Sequence, residues 1–384
     1  MRKGWEYKKL GEVCTIERGG SPRPINDYIT DSEDGINWIK IGDAQEGSKY
    51  ITSTKEKIKP EGVKKSRFVH KGDFILSNSM SFGRPYILKV DGCIHDGWLV
   101  IHDNNDIFIK DYLYYLLANP TMYAKFSQLA VGGVVNNLNS SLVRKVEITI
   151  PPKSTQLAIV TELDKINELI RLKKEQLKDF DNLAQSLFYE MFGDPVENEK
   201  GWEVKKLGDV CTFSQGMQVP IENQKEIQNE GDVRFLRIID FTQGKDAPRY
   251  VECDNDKYIL HEKEIAIVRY GTPGFICTGK IGAIANNLFK LNPVSDNIFV
   301  FEYLVHWLST DAFQLSIKGK QYGAALQAIK FSTIQNIEII LPPLPLQRLF
   351  AQRIEQIERE KSEVQKSIQD LETLLASRMQ YWFE

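Results

Sequence analysis

The sequence has few cysteines and lacks any long apolar run. Its five cysteines, in 384 residues, are odd in number and never spaced as Cys-x-x-Cys. This pattern argues against a disulfide framework and a zinc site, and it favours a reducing compartment. No run of about 18 apolar residues occurs, so the sequence predicts no transmembrane helix. The opening MRKGWEYKK lacks the apolar stretch of a signal peptide. We therefore expect a cytoplasmic protein that makes no contact with a membrane.

Motifs for catalysis and cofactor binding are also lacking. GFICTGK, at 274–280, has the spacing of a phosphate-binding loop, but Ile281 follows where Mg²⁺ coordination needs Ser or Thr. The five histidines have no metal-ligand spacing. Ile150 and Leu341 precede the two Pro-Pro pairs, where the corresponding loop of an adenine methyltransferase needs a polar residue. The sequence therefore predicts a non-catalytic chain with no cofactor and no metal of its own.

A large excess of one charge is absent as well. The net charge is −3, from 49 basic and 52 acidic residues, and no strongly basic stripe occurs. This balance argues against tight DNA binding by the chain alone, but it permits DNA binding within a larger complex.

What the sequence does contain is a repeat of its whole length. GWEYKKLGEVC at 4–14 returns as GWEVKKLGDVC at 201–211, with nine of the eleven letters identical. INWIKIGD at 36–43 likewise corresponds to VRFLRIID at 233–240, and VEITIPP at 146–152 to IEIILPP at 337–343. Each half shows strand-like apolar runs, a short helix (near 111–118 in the first half), and Pro-Pro before a long helix. We predict an α+β tandem duplication, with mixed α/β domains at 1–150 and 196–341 and long helices at 151–195 and 342–384.

The two long helices carry apolar residues at alternating spacings of three and four, which is the pattern of a coiled-coil seam. The predicted seam residues are Leu163, Ile166, Ile170, Leu177, Phe180 and Leu187 in the first helix and Ile354, Ile357, Val364, Ile368, Leu371 and Leu375 in the second. We expect an antiparallel two-helix coiled coil with pseudo-two-fold symmetry, although a bundle of several helices would use the same pattern. A rod of about 37 residues would be on the order of 55 Å long, enough to hold two DNA-reading domains a helical turn or more apart.

The two halves share scaffold residues but differ at polar positions in the central loops. Arg suits guanine and Asn or Gln suits adenine in the major groove, whereas Lys and Ser suit phosphates; surface loops also vary neutrally. The candidate DNA-contacting residues of the first half are Arg18, Lys40, Ser77, Asn78, Ser79, Ser81, Arg84, Asn136 and Asn139. Those of the second half are Arg237, Arg269, Tyr270, Lys280, Gln321, Tyr322, Gln327 and Lys330.

Taken together, these features resemble the specificity subunit of type I restriction-modification systems. The resemblance is carried by GW-E-x-K-x-LG-x-V-C at the head of each half, GDFILSNSMSFGRPYI at 72–87, the Pro-Pro pairs, and the long helix running into LFYEMFGDP at 187–195. It covers the whole chain. It implies two target recognition domains, each reading one half of a split site in double-stranded DNA, and two antiparallel helices that bind two adenine-N6 methyltransferase subunits.

The resemblance also implies where the cofactors belong. S-adenosylmethionine would be brought by the methyltransferase subunits, and ATP and Mg would be used by restriction/translocase subunits that join for restriction. The loop at 77–81 differs strongly from its counterpart at 268–272, so we expect two different half-sites. Three other interpretations stay open, namely a recognition module for another DNA-modifying enzyme, a scaffold that binds only proteins, and an enzyme with an unrecognised catalytic motif.

Overall fold

The computed structural model describes residues 2, 4–45, 47–79, 83–130, 138–243, 247–295, 297–318 and 328–384. It confirms the predicted α+β architecture of helices and small mixed sheets. The chain forms two compact units: unit 1 comprises Met1–Lys173 with Ser367–Glu384, and unit 2 comprises Lys174–Lys366. Each unit therefore combines one of the predicted domains with parts of both long helices. The segments predicted from the sequence, in contrast, are consecutive along the chain.

Unit 1 begins with a globular domain of three sheets and ends with helical segments. Its elements are β1 (Glu6–Lys9), α1 (Leu10–Val13), β2 (Cys14–Arg18), β3 (Ile29–Thr30), β4 (Ile36–Ile39), β5 (Tyr50–Ile51), β6 (Glu56–Ile58), β7 (Arg67–Val69), β8 (Phe74–Ser77), β9 (Pro85–Leu88), β10 (Gly92–Ile94), β11 (Trp98–Asp103), α2 (Lys110–Ala118), α3 (Pro120–Ala130), α4 (Ser140–Val143), β12 (Glu147–Ile150) and the first part of α5 (Lys153–Phe192). The strands form sheets in the orders β2-β11-β8-β9-β5, β3-β6-β4-β10-β7 and β1-β12.

Unit 2 begins with the rest of α5 and repeats most of this order, with four-stranded sheets where unit 1 has five-stranded ones. It contains β13 (Glu203–Lys206), α6 (Leu207–Val210), β14 (Cys211–Gln215), β15 (Asp232–Leu236), α7 (Ile238–Thr242), β16 (Arg249–Glu252), β17 (Ile259–Leu260), β18 (Ile265–Val268), β19 (Ile276–Cys277), β20 (Gly282–Ile284), β21 (Leu288–Pro293), α8 (Phe301–Ser309), α9 (Asp311–Lys318), α10 (Phe331–Gln335), β22 (Glu338–Leu341) and most of α11 (Leu344–Phe383). Its sheets run β14-β21-β18-β19, β16-β15-β20-β17 and β13-β22.

The sheet that contains β8 and β11 is buried on both faces. Successive side chains of a strand point to opposite faces, and here they enter two different cores. Phe74 and Leu76 face a core shared with α2, α3 and α5. Ile75 and Trp98 face a second core, shared with the sheet that contains β4 and β10. These strands therefore read as nearly continuous apolar runs instead of alternating ones.

A buried glutamine joins each long helix to its domain. Gln156 accepts a hydrogen bond from the Ile109 amide (2.8 Å) and donates to the carbonyls of Ile107 and Pro151 (both 3.0 Å). In unit 2, Gln347 accepts from the Val300 amide (2.8 Å) and donates to the carbonyls of Ile298 (3.2 Å) and Pro342 (2.8 Å). Both glutamines are almost fully buried. The repeat seen in the sequence therefore extends to individual hydrogen bonds.

Parts of the two long helices pack together inside each unit. In unit 2, Asp181 pairs with Lys361 (Oδ1–Nζ, 2.8 Å), and the ring of Phe192 lies 5.2 Å from that of Phe350. From the first contact to the second, the residue number rises along α5 and falls along α11, so the two helices are antiparallel within this unit. In unit 1, the Glu162 carboxylate near the start of α5 pairs with Arg378 near the end of α11.

The side chains of the predicted coiled-coil seam are buried or half-buried, as their alternating spacing predicts. Eight of these side chains are buried, namely Leu163, Ile166, Ile170, Leu187, Ile354, Ile357, Val364 and Ile368. Four are half-buried, namely Leu177, Phe180, Leu371 and Leu375. The helices begin at Lys153 and Leu344, directly after the Pro-Pro pairs, as expected of proline at a helix start.

Candidate nucleic-acid interface

Several candidate residues of unit 1 meet where three strands end. Arg18 ends β2, Asn78 follows β8, and Asp96 follows β10. The backbone carbonyl of Asp96 accepts hydrogen bonds from Arg18 Nε (2.9 Å) and Asn78 Nδ2 (3.0 Å). Its carboxylate accepts from Ser21 Oγ (2.8 Å) and lies 3.5 Å from Arg23 Nη2. We call Arg18, Arg23, Ser79 and Asp96 the variable edge of unit 1.

The charges of this edge are set by Asp96 and the adjacent His95. Burial acts to raise the pKa of Asp96. The Ser21 hydrogen bond and the charges of His95 and Arg18 together outweigh burial, so the pKa of Asp96 is lowered. Burial lowers the pKa of His95 more than Asp96 raises it. Asp96 is therefore ionised and the imidazole neutral at pH 7, so that the edge carries two arginine cations and one carboxylate.

A cleft of about 720 Å³ opens beside the edge. Its lining includes Pro22, Arg23, Trp38, Lys40 and His95. Lys40 is half-buried there and its ammonium pairs with Glu56. The ammonium of Lys40 is thus already occupied by a protein carboxylate, whereas the Arg23 side chain is 81% exposed.

The corresponding strand ends of unit 2 carry different side chains. Gln215 ends β14 and its Nε2 donates to the carbonyl of Asn286 (3.0 Å). Tyr270 is 41% exposed and its hydroxyl donates to Asn286 Oδ1 (3.1 Å). Arg269 donates through Nε to the Ile329 carbonyl (3.1 Å) and lies over the Phe331 ring. We call Gln215, Arg269, Tyr270 and Asn286 the variable edge of unit 2.

Two candidates in unit 1, Ser77 and Asn78, are buried. Ser77 is only 1% exposed, and its Oγ accepts the Arg84 amide (2.9 Å). Asn78 is 3% exposed and holds the Asp96 carbonyl. Neither side chain presents a surface to a ligand, because Ser77 ends a strand that is buried on both faces. Both belong to the frame beneath the edge.

Other candidates have evident structural partners. Asn139 caps α4 by accepting the Leu142 amide (3.0 Å), which is a common role of Asn at this position. Arg237 Nε pairs with the buried Asp240 carboxylate (3.1 Å), and Lys280 Nζ donates to the Asp240 carbonyl. Each of these side chains therefore has a partner within the protein, and its DNA contact stays a prediction.

The remaining candidates are distributed around the two edges. Ser79 and Arg84 are half-buried, and Lys330 is exposed directly before α10. Five predicted residues lie outside the described part of the chain, namely Ser81, Asn136, Gln321, Tyr322 and Gln327.

Asp96, Asn286 and Gln215 are not among the residues predicted from the sequence. Gln215 could have been found, because the opening repeat aligns it with Arg18 at the offset of 197 residues. Asp96 and Asn286 are at the edges only because β10 and β20 end there. No local motif marks them.

Two further features are absent from the described residues. No helix among them is both long and apolar enough to cross a membrane. No cluster of three or more His, Cys, Asp or Glu side chains in this part of the chain is arranged to hold a metal ion.

The fold and its edges define a class of protein in which a duplicated recognition unit presents different polar side chains on one shared frame. Residues 2–179 and 199–373 each match the family model of the type I restriction modification DNA specificity domain. The two matches span most of the chain. The chain therefore belongs to this family.

Curated relatives and solved structures agree with the family match. The chain is 26% identical over 379 residues to the type I restriction enzyme MjaIX specificity subunit of Methanocaldococcus jannaschii, covering 91% of this chain and 85% of the relative. It is 19% identical over 417 residues to the StySPI specificity subunit of Salmonella potsdam, covering 99% and 88%.

The structural neighbours show the same fold. A chain from a structure of a type I R-M system superposes with a TM-score of 0.68 at 20% identity, covering 100% of this chain and 98% of that one. The type I restriction-modification S subunit from M. genitalium gives a TM-score of 0.52 at 13% identity, with coverage of 98% and 95%.

Proposed function

We propose that this chain is the DNA specificity subunit of a type I restriction-modification complex, and that each unit reads one half of a bipartite site in double-stranded DNA. The double family match supports this function most directly, because each half of the chain matches the DNA specificity domain separately. The two variable edges add a physical reason. They occupy corresponding strand ends and differ in side-chain chemistry, as two readers of different half-sites should.

The proposal assigns the covalent chemistry to partner subunits. The long helices dock two adenine-N6 methyltransferase subunits, which bring S-adenosylmethionine, and restriction/translocase subunits that use ATP and Mg join for restriction. The helices carry six exposed leucines, which are candidate contacts for these partners in the proposal. They are Leu157, Leu169, Leu172, Leu183, Leu349 and Leu374.

The long helices also set the spacing between the two half-sites in this proposal. α5 is continuous over 40 residues, and an α-helix rises about 1.5 Å per residue. A continuous helix is stiff, so a fixed number of base pairs should separate the two halves of the recognised site. A flexible linker would instead tolerate several spacings.

The test is a map of N6-methyladenine in the genome of a host that lacks this modification. The full chain is co-expressed with its methyltransferase partner, and the partner alone is the control. Methylation at a two-part motif with one fixed gap, dependent on this chain, is the expected result. Co-purification of the two proteins without any methylation would favour the scaffold interpretation, and random methylation would refute sequence specificity.

A further inference from the structure

Arg18 and Gln215 occupy the same structural position in the two units. Arg18 is the last residue of β2 and pairs with Leu99. Gln215 is the last residue of β14 and pairs with Phe289. The amide of the following glycine donates to the carbonyl of Trp98 in unit 1 (2.9 Å) and of Leu288 in unit 2 (3.0 Å). The backbone therefore places both side chains in the same way.

The glycines that follow Arg18 and Gln215 show that the backbone has the same close approach in both units. A Cβ atom on Gly19 would lie 2.2 Å from the His95 carbonyl oxygen, and one on Gly216 would lie 2.2 Å from that of Ala285. Such distances are far inside van der Waals contact, so only glycine fits at each strand end without a shift of the backbone.

Each side chain is anchored by one donor and leaves other polar atoms unused. Arg18 Nε donates to the Asp96 carbonyl (2.9 Å), and Gln215 Nε2 donates to the Asn286 carbonyl (3.0 Å). Arg18 Nη1 and Gln215 Oε1 make no hydrogen bond within the described residues, and the Arg18 side chain is 56% exposed. Anchoring a long side chain in advance reduces the entropy that binding would cost.

The residue next to Arg18 differs in charge from the residue next to Gln215. The cationic Arg18 lies beside the carboxylate of Asp96 (3.8 Å from Nη2 to Oδ2), and a carboxylate stabilises a guanidinium. The residue whose backbone carbonyl anchors Gln215 is the neutral Asn286, and its side-chain Oδ1 accepts from the Tyr270 hydroxyl. The two copies therefore combine Arg with Asp and Gln with Asn at one position, with no unbalanced charge in either.

These two pairs have different base preferences in the major groove. An arginine offers two donors to O6 and N7 of guanine, and a glutamine offers one acceptor and one donor to N6 and N7 of adenine. We propose that Arg18 reads a guanine in one half-site and that Gln215 reads an adenine at the corresponding position of the other half-site. This inference rests on the proposed function and adds the bases that each unit selects.

An exposed cation beside Arg18 favours a contact with the DNA backbone next to that base. Arg67 donates through Nε to the Arg18 carbonyl (2.9 Å) and pairs through Nη1 with Glu17 (3.0 Å). The Arg23 side chain, in contrast, is 81% exposed and lies 3.5 Å from the Asp96 carboxylate. Cations beside a base-reading residue bind phosphates and set its register. Arg23 is therefore a phosphate contact in this scheme and supplies a matched arginine control.

The experiment uses reciprocal variants of the full chain in complex with its methyltransferase partner, with genome-wide N6-methyladenine mapping as the readout. Arg18→Gln should lower the preference for guanine at one position of one half-site by about 5- to 150-fold, which corresponds to about 1–3 kcal/mol per bidentate base contact. Gln215→Arg should replace adenine by guanine at one position of the other half-site. The double variant Arg18→Gln with Asp96→Asn recreates the unit 2 pair and should select adenine.

Arg23→Gln is the control, and it should reduce methylation at all sites while the motif stays the same. A new base preference in Gln215→Arg cannot come from a misfolded chain, so it separates recognition from folding. An unchanged motif in both reciprocal variants, a change in both half-sites at once, or a first half-site without guanine would each overturn the inference. If the wild-type complex methylates no bipartite motif at all, the proposed function fails and this inference fails with it.

Discussion

The buried glutamine at the start of each long helix offers a test of how the domains are joined to the helices. Replacing Gln347 by leucine removes three hydrogen bonds, to the Val300 amide and to the carbonyls of Ile298 and Pro342. Gln347 is 0% exposed, so water cannot simply take its place. We expect the free energy of unfolding of unit 2 to fall.

The size of the effect follows from these three bonds. A buried polar group left without a partner costs about 1–3 kcal/mol, and the lower half of that range applies here because the two carbonyls each have a second lone pair. Burying a leucine in place of an amide returns about 2 kcal/mol. The net loss is about 1–4 kcal/mol, which lowers Tm by about 2–16 °C for a unit of this size.

Thermal and urea unfolding of the purified chain would measure this loss. Gln352→Leu is the matched control, since Gln352 is exposed on the same helix and its replacement should change stability by about 0.5 kcal/mol or less. Gln156→Leu should destabilise unit 1 to a similar degree, because Gln156 makes the same three bonds there. Equal stability of Gln347→Leu and Gln352→Leu would refute the assigned role.

Four further outcomes test other parts of the structure. Arg269→Ala should relax one half of the recognised site and leave the other half intact in the methylation map; uniform loss would indicate a phosphate or folding role. Ser77→Ala should leave the motif unchanged and cost about 1 kcal/mol in urea unfolding, because its hydroxyl accepts the part-buried amide of Arg84; an altered motif would restore it as a base contact. Gly216→Ala should destabilise unit 2 by about 2 kcal/mol or more, whereas Gly42→Ala, where a Cβ meets nothing within 4 Å, should be nearly neutral; equal Tm values would contradict the close approach. The Arg378 hydrogen bond lowers the pKa of Glu162 from 4.5. The stabilisation by this ion pair is therefore present above pH 4.5 and is lost as the pH falls through the lowered folded-state pKa. The stability difference between wild type and Glu162→Gln should close on acidification, and a difference independent of pH would count against the ion pair.

The sequence alone determined the duplication, the α+β class and the long helices. Pro-Pro restricts the backbone locally, so the helix starts at Lys153 and Leu344 were readable from the chain. Helical periodicity is likewise a property of neighbouring residues, and the burial of Leu163 and Ile354 follows it. Local signals of this kind need no knowledge of the partner element.

Only the tertiary structure decided which side chains form the variable edges. Asp96 reaches Arg18 and Asn78 because β10, β2 and β8 end at one place, and strand pairing across such separations has no local signature. The same limit explains Ser77, whose loop-like sequence suggested a surface position. It is buried because its strand is covered on both faces, a property that depends on what packs against the sheet rather than on the residues of the strand itself.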